Sequence, residues 1–132
     1  LQQKGKHAYD INLEVAIEPE NAEATVVSNS NFKYMYWSMS QQLAHHTSNG
    51  CRVNSGDMMG SGTISGPTPN SYGSMLELTW NGKNPIVMQD KSERKFINDN
   101  DTVIMKGFCK NNEVRVGFGE VSSKLLPPFV RK

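Results

Sequence analysis

Alternating apolar and polar residues mark the first element of the chain. The apolar side chains occupy every second position, at Tyr9, Ile11, Leu13, Val15 and Ile17. A period of two is typical of a strand with one buried face. Pro19 should end this strand, because proline cannot donate to a sheet. The residues from 25 to 27 are typical of a second, short strand.

The spacing of apolar residues then changes to three and four, which is the spacing of a helix. The apolar stripe consists of Phe32, Tyr36, Met39 and Leu43. Ser28 or Ser30 could cap its start, and Asn49-Gly50 supplies a stop. The pattern therefore predicts one main helix within residues 28–49, at about 30–49.

Short β segments with turn residues between them fill the rest of the chain. We predict strands at 58–65, 75–80, 85–88, 102–109 and 114–118. No internal repeat or low-complexity linker interrupts them. The sequence thus predicts a mostly β fold, a roll or sandwich with one main helix.

Composition narrows the class of protein. The chain has 132 residues with 14 Lys and Arg against 13 Asp and Glu, a net charge of +1. The basic residues are scattered, so a nucleic-acid partner has little support. No apolar run approaches the roughly 20 residues that span a bilayer.

The two cysteines, Cys51 and Cys109, are expected to be reduced thiols in a cytoplasmic protein. A start at Leu1 instead of Met suits a piece of a longer protein.

Two segments carry candidate chemistry. In the first, Ser61, Thr63 and Ser65 would share one side of an extended backbone, between glycines that let a ligand approach. Hydroxyls and backbone N–H groups suit a carboxylate ligand, although a Gly/Ser-rich strand end entering a turn explains the same pattern. In the second, strand alternation places Leu76, Leu78 and Trp80 on the face expected to form the core, and Glu77 on the opposite side with Met75 and Thr79. There Glu77 could orient an imidazole or simply face solvent.

Other polar clusters are weaker candidates. Adjacent helical residues diverge by about 100°, so His45 and His46 do not suit one metal ion and are expected to be surface or packing side chains. His7 has the same interpretation. The segment from Asp99 to Asp101 lacks the spacing of a calcium loop and is predicted to be a turn.

Several segments together resemble the fumarylacetoacetase family. The resemblance is carried first by the stretch from 31 to 46, NFKYMYW followed after three residues by QQLAHH. It continues through SGTISGP at 61–67 and YGSMLEL at 72–78, and ends in RVGFG at 115–119 and KLLP at 124–127. Motifs of this length in this order cover nearly the whole chain from Tyr9 onward.

The resemblance implies a function. Members of the family hydrolyse a carbon–carbon bond of fumarylacetoacetate, which gives fumarate and acetoacetate in tyrosine and phenylalanine catabolism, as cytoplasmic homodimers. The catalytic domain is a mixed β-sandwich roll. A histidine oriented by a glutamate activates water, and Mg²⁺ or Ca²⁺ holds the diketo acid. By residue match, Glu77 corresponds to the orienting glutamate and Thr63 to a substrate contact.

The sequence also departs from the family pattern. The general-base histidine, the acidic metal ligands and a lysine would lie upstream of Leu1, so residues 1–132 are expected to be an incomplete C-terminal portion of the catalytic domain, inactive alone. Two alternatives remain open at this point. The chain could come from a related diketo-acid or acylpyruvate hydrolase, or it could be a non-catalytic β module used for association.

Overall fold

The computed structural model describes residues 8–129 together with Gly5. Its main sheet has four antiparallel strands: β1 (Asn12–Glu18), β2 (Thr25–Asn31), β5 (Thr102–Lys110) and β6 (Arg115–Lys124). The strand order is β2-β1-β5-β6. A two-stranded sheet pairs β3 (Ile86–Val87) with β4 (Glu93–Arg94). The predicted mostly β fold with one main helix is confirmed.

Two short helices complete the described part. Helix α1 spans Met39–Thr47 and helix α2 spans Met75–Leu78. Single 3-10 turns occur at Phe32–Tyr34 and Pro69–Ser71. No helix of the described part is both long and apolar enough to cross a membrane.

The core lies between the main sheet, strand β3 and helix α2. Ile17, Val27 and Met88 are its buried residues. Helix α2 packs Met75 and Leu78 against this cluster. Residues three apart lie on one face of a helix, so the other face of α2 is left for Glu77. The core therefore fixes the direction in which this carboxylate points.

The predicted long helix is wrong in its first part. Strand β2 continues through residue 31, because Ser28 and Ser30 pair with β1. Their hydroxyls do not cap a helix but donate to the carbonyls of Tyr72 (2.7 Å) and Ile64 (2.9 Å). The helix begins only after Ser38, whose hydroxyl accepts the Gln41 N–H at 3.2 Å. Of the predicted apolar stripe, Met39 and Leu43 therefore lie in the helix, whereas Phe32 and Tyr36 precede it.

Two predicted strands are also absent. Residues 58–65 form no strand in the described structure. The segment from 75 to 80 was predicted as a strand with Leu76, Leu78 and Trp80 in the core, but it contains helix α2. Leu76 and Trp80 are exposed, whereas Thr79, predicted to share the side of Glu77, is fully buried.

The remaining strand predictions are confirmed with shifted bounds. Strand β1 begins three residues later than the alternation indicates, and β5 matches its predicted segment within one residue. Strand β6 is longer than predicted. It contains a bulge at Gly119, which has a positive φ of 82°. The turn predicted from Asp99 to Asp101 is present, with Asn100 in the left-handed conformation.

Candidate functional site

Helix α2 positions the carboxylate of Glu77. The hydroxyl of Ser74 caps the helix by accepting the Glu77 N–H at 3.3 Å. The helix ends at Leu78 and is followed by the C-cap residue Thr79, whose hydroxyl donates to the Met75 carbonyl at 2.7 Å and accepts the Gly82 N–H at 3.0 Å. Serine followed three residues later by glutamate is a signature of a helix start. This signal in the sequence identifies α2 and was missed.

Two hydroxyls bind the Glu77 carboxylate. Ser65 Oγ lies 2.9 Å from Oε1 and 2.8 Å from Oε2, so its proton is shared between both oxygens. Ser74 Oγ donates to Oε2 at 2.8 Å. Such hydrogen bonds to a carboxylate are stronger than those between neutral groups. Glu77 is exposed, yet its carboxylate has a defined orientation.

A tight backbone contact brings the 60–66 segment next to helix α2. A Cβ added to Gly73 would lie 2.6 Å from the carbonyl oxygen of Ile64 and 2.7 Å from Cγ2 of Thr63. Only glycine permits this approach. The Gly73 N–H donates to Ser65 Oγ at 3.1 Å. Thr63 and Ser65 therefore both lie against Gly73, and Ser65 reaches Glu77.

An open groove runs beside this carboxylate. It has a volume of about 540 Å³ and is lined by Tyr72, Leu76, Glu77, Trp80, Asn81 and Lys83. Leu76 and Trp80 are exposed apolar side chains in it. The groove therefore combines an apolar wall with one carboxylate and one ammonium group, an arrangement that suits an imidazole or a small polar ligand.

The predicted histidines and cysteines that the structure describes do not line this groove. His45 and His46 are both exposed in the last turn of α1, as expected for surface histidines, and His7 lies outside the described residues. Cys51 is exposed and Cys109 is half-buried, and both are free thiols.

The described residues do not suit a divalent cation. No group of three or more His, Cys, Asp or Glu side chains converges in the described part of the chain. The Glu77 carboxylate accepts from two hydroxyls, those of Ser65 and Ser74. Mg²⁺ and Ca²⁺ need several converging oxygen ligands. We therefore derive no step through a metal from these residues.

A buried ion pair was missed by the sequence analysis. Asp101 is 1% exposed and receives Arg94 Nε at 2.8 Å and Nη2 at 2.9 Å. The Asn98 N–H donates to it at 2.9 Å. Burial opposes ionisation of Asp101, but the bonds from Arg94 and Asn98 outweigh it, so the pKa of this carboxyl lies below its ordinary value. The bond to Asp101 raises the pKa of Arg94.

A match to a protein-family model shows the family of this chain. The family model described as "Fumarylacetoacetate (FAA) hydrolase C-terminal" matches residues 2–124. The chain belongs to the fumarylacetoacetate hydrolase family. The matched range includes both Thr63 and Glu77, so the candidate site lies within the part that defines the family.

Curated members of this family are similar along almost the whole chain. A fumarylacetoacetase of Dictyostelium discoideum is 52% identical over 135 residues, covering 100% of this chain and 32% of its own length. The human fumarylacetoacetase is 49% identical over 94% of this chain and 30% of its own length, and that of Arabidopsis thaliana is 46% identical over 96% and 30%. The chain thus spans about a third of the length of these relatives.

Proposed function

We propose that the complete protein in which this chain occurs hydrolyses 4-fumarylacetoacetate to fumarate and acetoacetate. The observation that carries this proposal is the Glu77 carboxylate, fixed by two hydroxyls at the edge of a groove. A fixed carboxylate of this kind orients a histidine base in other hydrolases. The relatives' name, fumarylacetoacetase, supports the choice of substrate.

The proposed role of Glu77 is to orient an imidazole. One ring N–H of a histidine outside the described residues would donate to the carboxylate, which leaves the other ring nitrogen to remove a proton from water. The resulting hydroxide adds to the substrate carbonyl. The carbon–carbon bond then breaks, its electron pair leaves on acetoacetate as an enolate, and that carbon takes up a proton. Glu77 stabilises the imidazolium that forms between these steps.

Thr63 is proposed to contact the substrate. It lies on the segment that packs against Gly73, next to the residue that binds Glu77. Within the described part its side chain makes no hydrogen bond to another residue, so its hydroxyl can donate to a bound carboxylate or keto group. The substrate is accordingly a small diketo acid.

The chain itself is proposed to be the C-terminal portion of the catalytic domain. It spans about 32% of the Dictyostelium relative. Its described residues hold the orienting carboxylate with neither a histidine bonded to it nor a metal-ligand cluster. We therefore propose that the 132-residue chain alone is inactive, and that the complete protein works as a cytoplasmic homodimer with Mg²⁺ or Ca²⁺ held by other residues.

The test is a substrate assay on the complete protein. Loss of fumarylacetoacetate absorbance, with fumarate and acetoacetate formed in equal amounts, would support the proposal. Turnover of an acylpyruvate but not of fumarylacetoacetate would indicate the related hydrolase instead. A complete protein that turns over neither compound would contradict an enzymatic role and leave the association module.

A further inference from the structure

The hydrogen bonds of the Ser65 hydroxyl determine which way its proton points. Its Oγ accepts the Gly73 N–H at 3.1 Å, which directs its one proton toward Glu77. Ser74 is arranged in the same way, because its Oγ accepts the Glu77 N–H and its proton goes to Oε2. Both hydroxyls are thus donors held in place by backbone amides, and both require an acceptor.

The two oxygens of Glu77 are not equivalent. A carboxylate has about four acceptor positions, two on each oxygen. Oε2 accepts from Ser65 and Ser74, whereas Oε1 accepts from Ser65 alone. Among the described residues, Oε1 therefore keeps one acceptor position to which nothing donates.

We propose that Ser65 is a positioning residue that, together with Ser74, fixes the Glu77 carboxylate so that Oε1 is the oxygen presented to the catalytic imidazole. This inference rests on the proposed function. In this role Ser65 acts through its hydrogen bonds to Glu77, which do not require a contact with the substrate. It is also the better residue to test, because Ser74 caps helix α2 and its removal would change the helix as well.

Three variants of Ser65 distinguish the effect of its hydroxyl from the effect of its side-chain volume. Ser65→Ala removes the donor, and Ser65→Cys keeps the shape but supplies only a weak donor. Ser65→Thr keeps the hydroxyl. We expect kcat of the complete protein to fall about 10-fold to 100-fold in the first two variants, the range set by one hydrogen bond to a charged group. KM should change little, and Ser65→Thr should restore most of kcat.

The pH profile gives a readout that a purely structural role would not move. When the Glu77 carboxylate is no longer held in place, it stabilises the imidazolium of the catalytic histidine less. The pKa of that histidine then falls. The acidic limb of the pH profile of kcat should therefore shift to lower pH in Ser65→Ala and Ser65→Cys. The shift should have the same direction as in Glu77→Gln. Ser30→Ala is the matched control, since Ser30 holds the same segment through the Ile64 carbonyl at 2.9 Å without contacting Glu77. It should leave the limb unshifted.

The outcomes distinguish this inference from the proposed function. If Glu77→Gln loses activity while Ser65→Ala keeps wild-type kcat and an unshifted limb, Ser65 does not position Glu77. An equal loss in Ser65→Ala and Ser65→Thr without a shift, or an equal shift in Ser30→Ala, would also overturn the inference. A wild-type protein inactive on fumarylacetoacetate would instead remove the proposed function, and this inference with it.

Discussion

The methyl group and the hydroxyl of Thr63 have different surroundings. Its Cγ2 methyl lies toward Gly73, close enough that a Cβ there would be 2.7 Å away. The hydroxyl has no hydrogen bond to another described residue. The methyl group therefore packs against Gly73, just before helix α2, while the hydroxyl makes no hydrogen bond within the described part.

We predict that Thr63→Val raises KM of the complete protein about 10-fold to 100-fold. Valine keeps the packed methyl and removes only the hydroxyl, which would otherwise donate to a charged substrate group at about 1.5–3 kcal/mol. Steady-state kinetics on fumarylacetoacetate measures this change. Thr63→Ser is the control, because it keeps the hydroxyl and loses the methyl. An unchanged KM in Thr63→Val would remove Thr63 from the site.

The ion pair between Asp101 and Arg94 connects two parts of the fold. Arg94 belongs to strand β4, and Asp101 directly precedes β5. The Asp101 carbonyl accepts the Leu125 N–H at 2.9 Å, so the same residue also contacts the end of β6. The ion pair therefore ties the two-stranded sheet to the main sheet.

We predict that Asp101→Asn lowers the free energy of unfolding of the complete protein by about 3–5 kcal/mol, because it leaves Arg94 as an uncompensated and largely buried charge. Urea unfolding measures the change. Glu120→Gln is the matched control. The pair between Lys106 and Glu120, at 3.2 Å, is about half exposed, so its loss should cost about 0–1 kcal/mol. Equal effects of the two variants would contradict the structural role of Asp101.

The same pair predicts a pH dependence. The folded-state pKa of Asp101 lies below its unfolded value of about 3.9. Its contribution to stability is therefore present above about pH 4 and lost as the pH falls through the folded-state pKa. The difference in unfolding free energy between wild type and Asp101→Asn should shrink in that acid range. A difference that stays constant down to pH 2 would contradict this view.

Sequence patterns identified the strands better than the helices. Strands β1 and β5 have clear alternation or apolar runs with turns at their ends, and both were predicted. The long helix was wrong because Phe32 and Leu43 are spaced like helical residues, although β2 pairing extends to Asn31. Tertiary hydrogen bonding overrode local spacing there. The sequence signature of a capped start, serine and then glutamine or glutamate three residues on, marks both α1 and α2.

The candidate site was predictable only in part. The residue pattern named Glu77 and Thr63 as candidates, but their specific roles came from the family resemblance, and strand alternation gave the wrong reason for the direction of Glu77. The contact between Ser65 and Glu77 joins residues 12 apart through an irregular segment. No periodic pattern encodes such a contact, since it depends on the close approach that Gly73 permits.

Among the described residues, β6 is an edge strand of the main sheet, because it pairs with β5 alone. None of its 10 residues is buried, and Val116, Phe118 and Val121 are exposed apolar side chains on it. The opposite edge, β2, is contacted by the 64–72 region through Ser28 and Ser30. An open apolar edge strand promotes pairing with another chain.

We predict that the isolated 132-residue chain self-associates through β6. Val121→Lys should reduce the association, because a lysine on an edge strand opposes further pairing. Sedimentation velocity over a range of concentrations measures the effect. Val87→Lys, at an exposed position of β3, is the control for added charge alone. A wild-type chain that stays monomeric at high concentration would contradict this prediction.

We propose that Glu77 serves as the orienting carboxylate of a fumarylacetoacetate hydrolase. The most direct test is kcat of the complete protein with Glu77→Gln, which keeps the shape of the side chain and removes its charge. We predict a fall of about 10²-fold to 10⁴-fold with the fold retained and a smaller change in binding. A Glu77→Gln protein with near wild-type kcat and an unchanged pH profile would show that Glu77 does not orient the base.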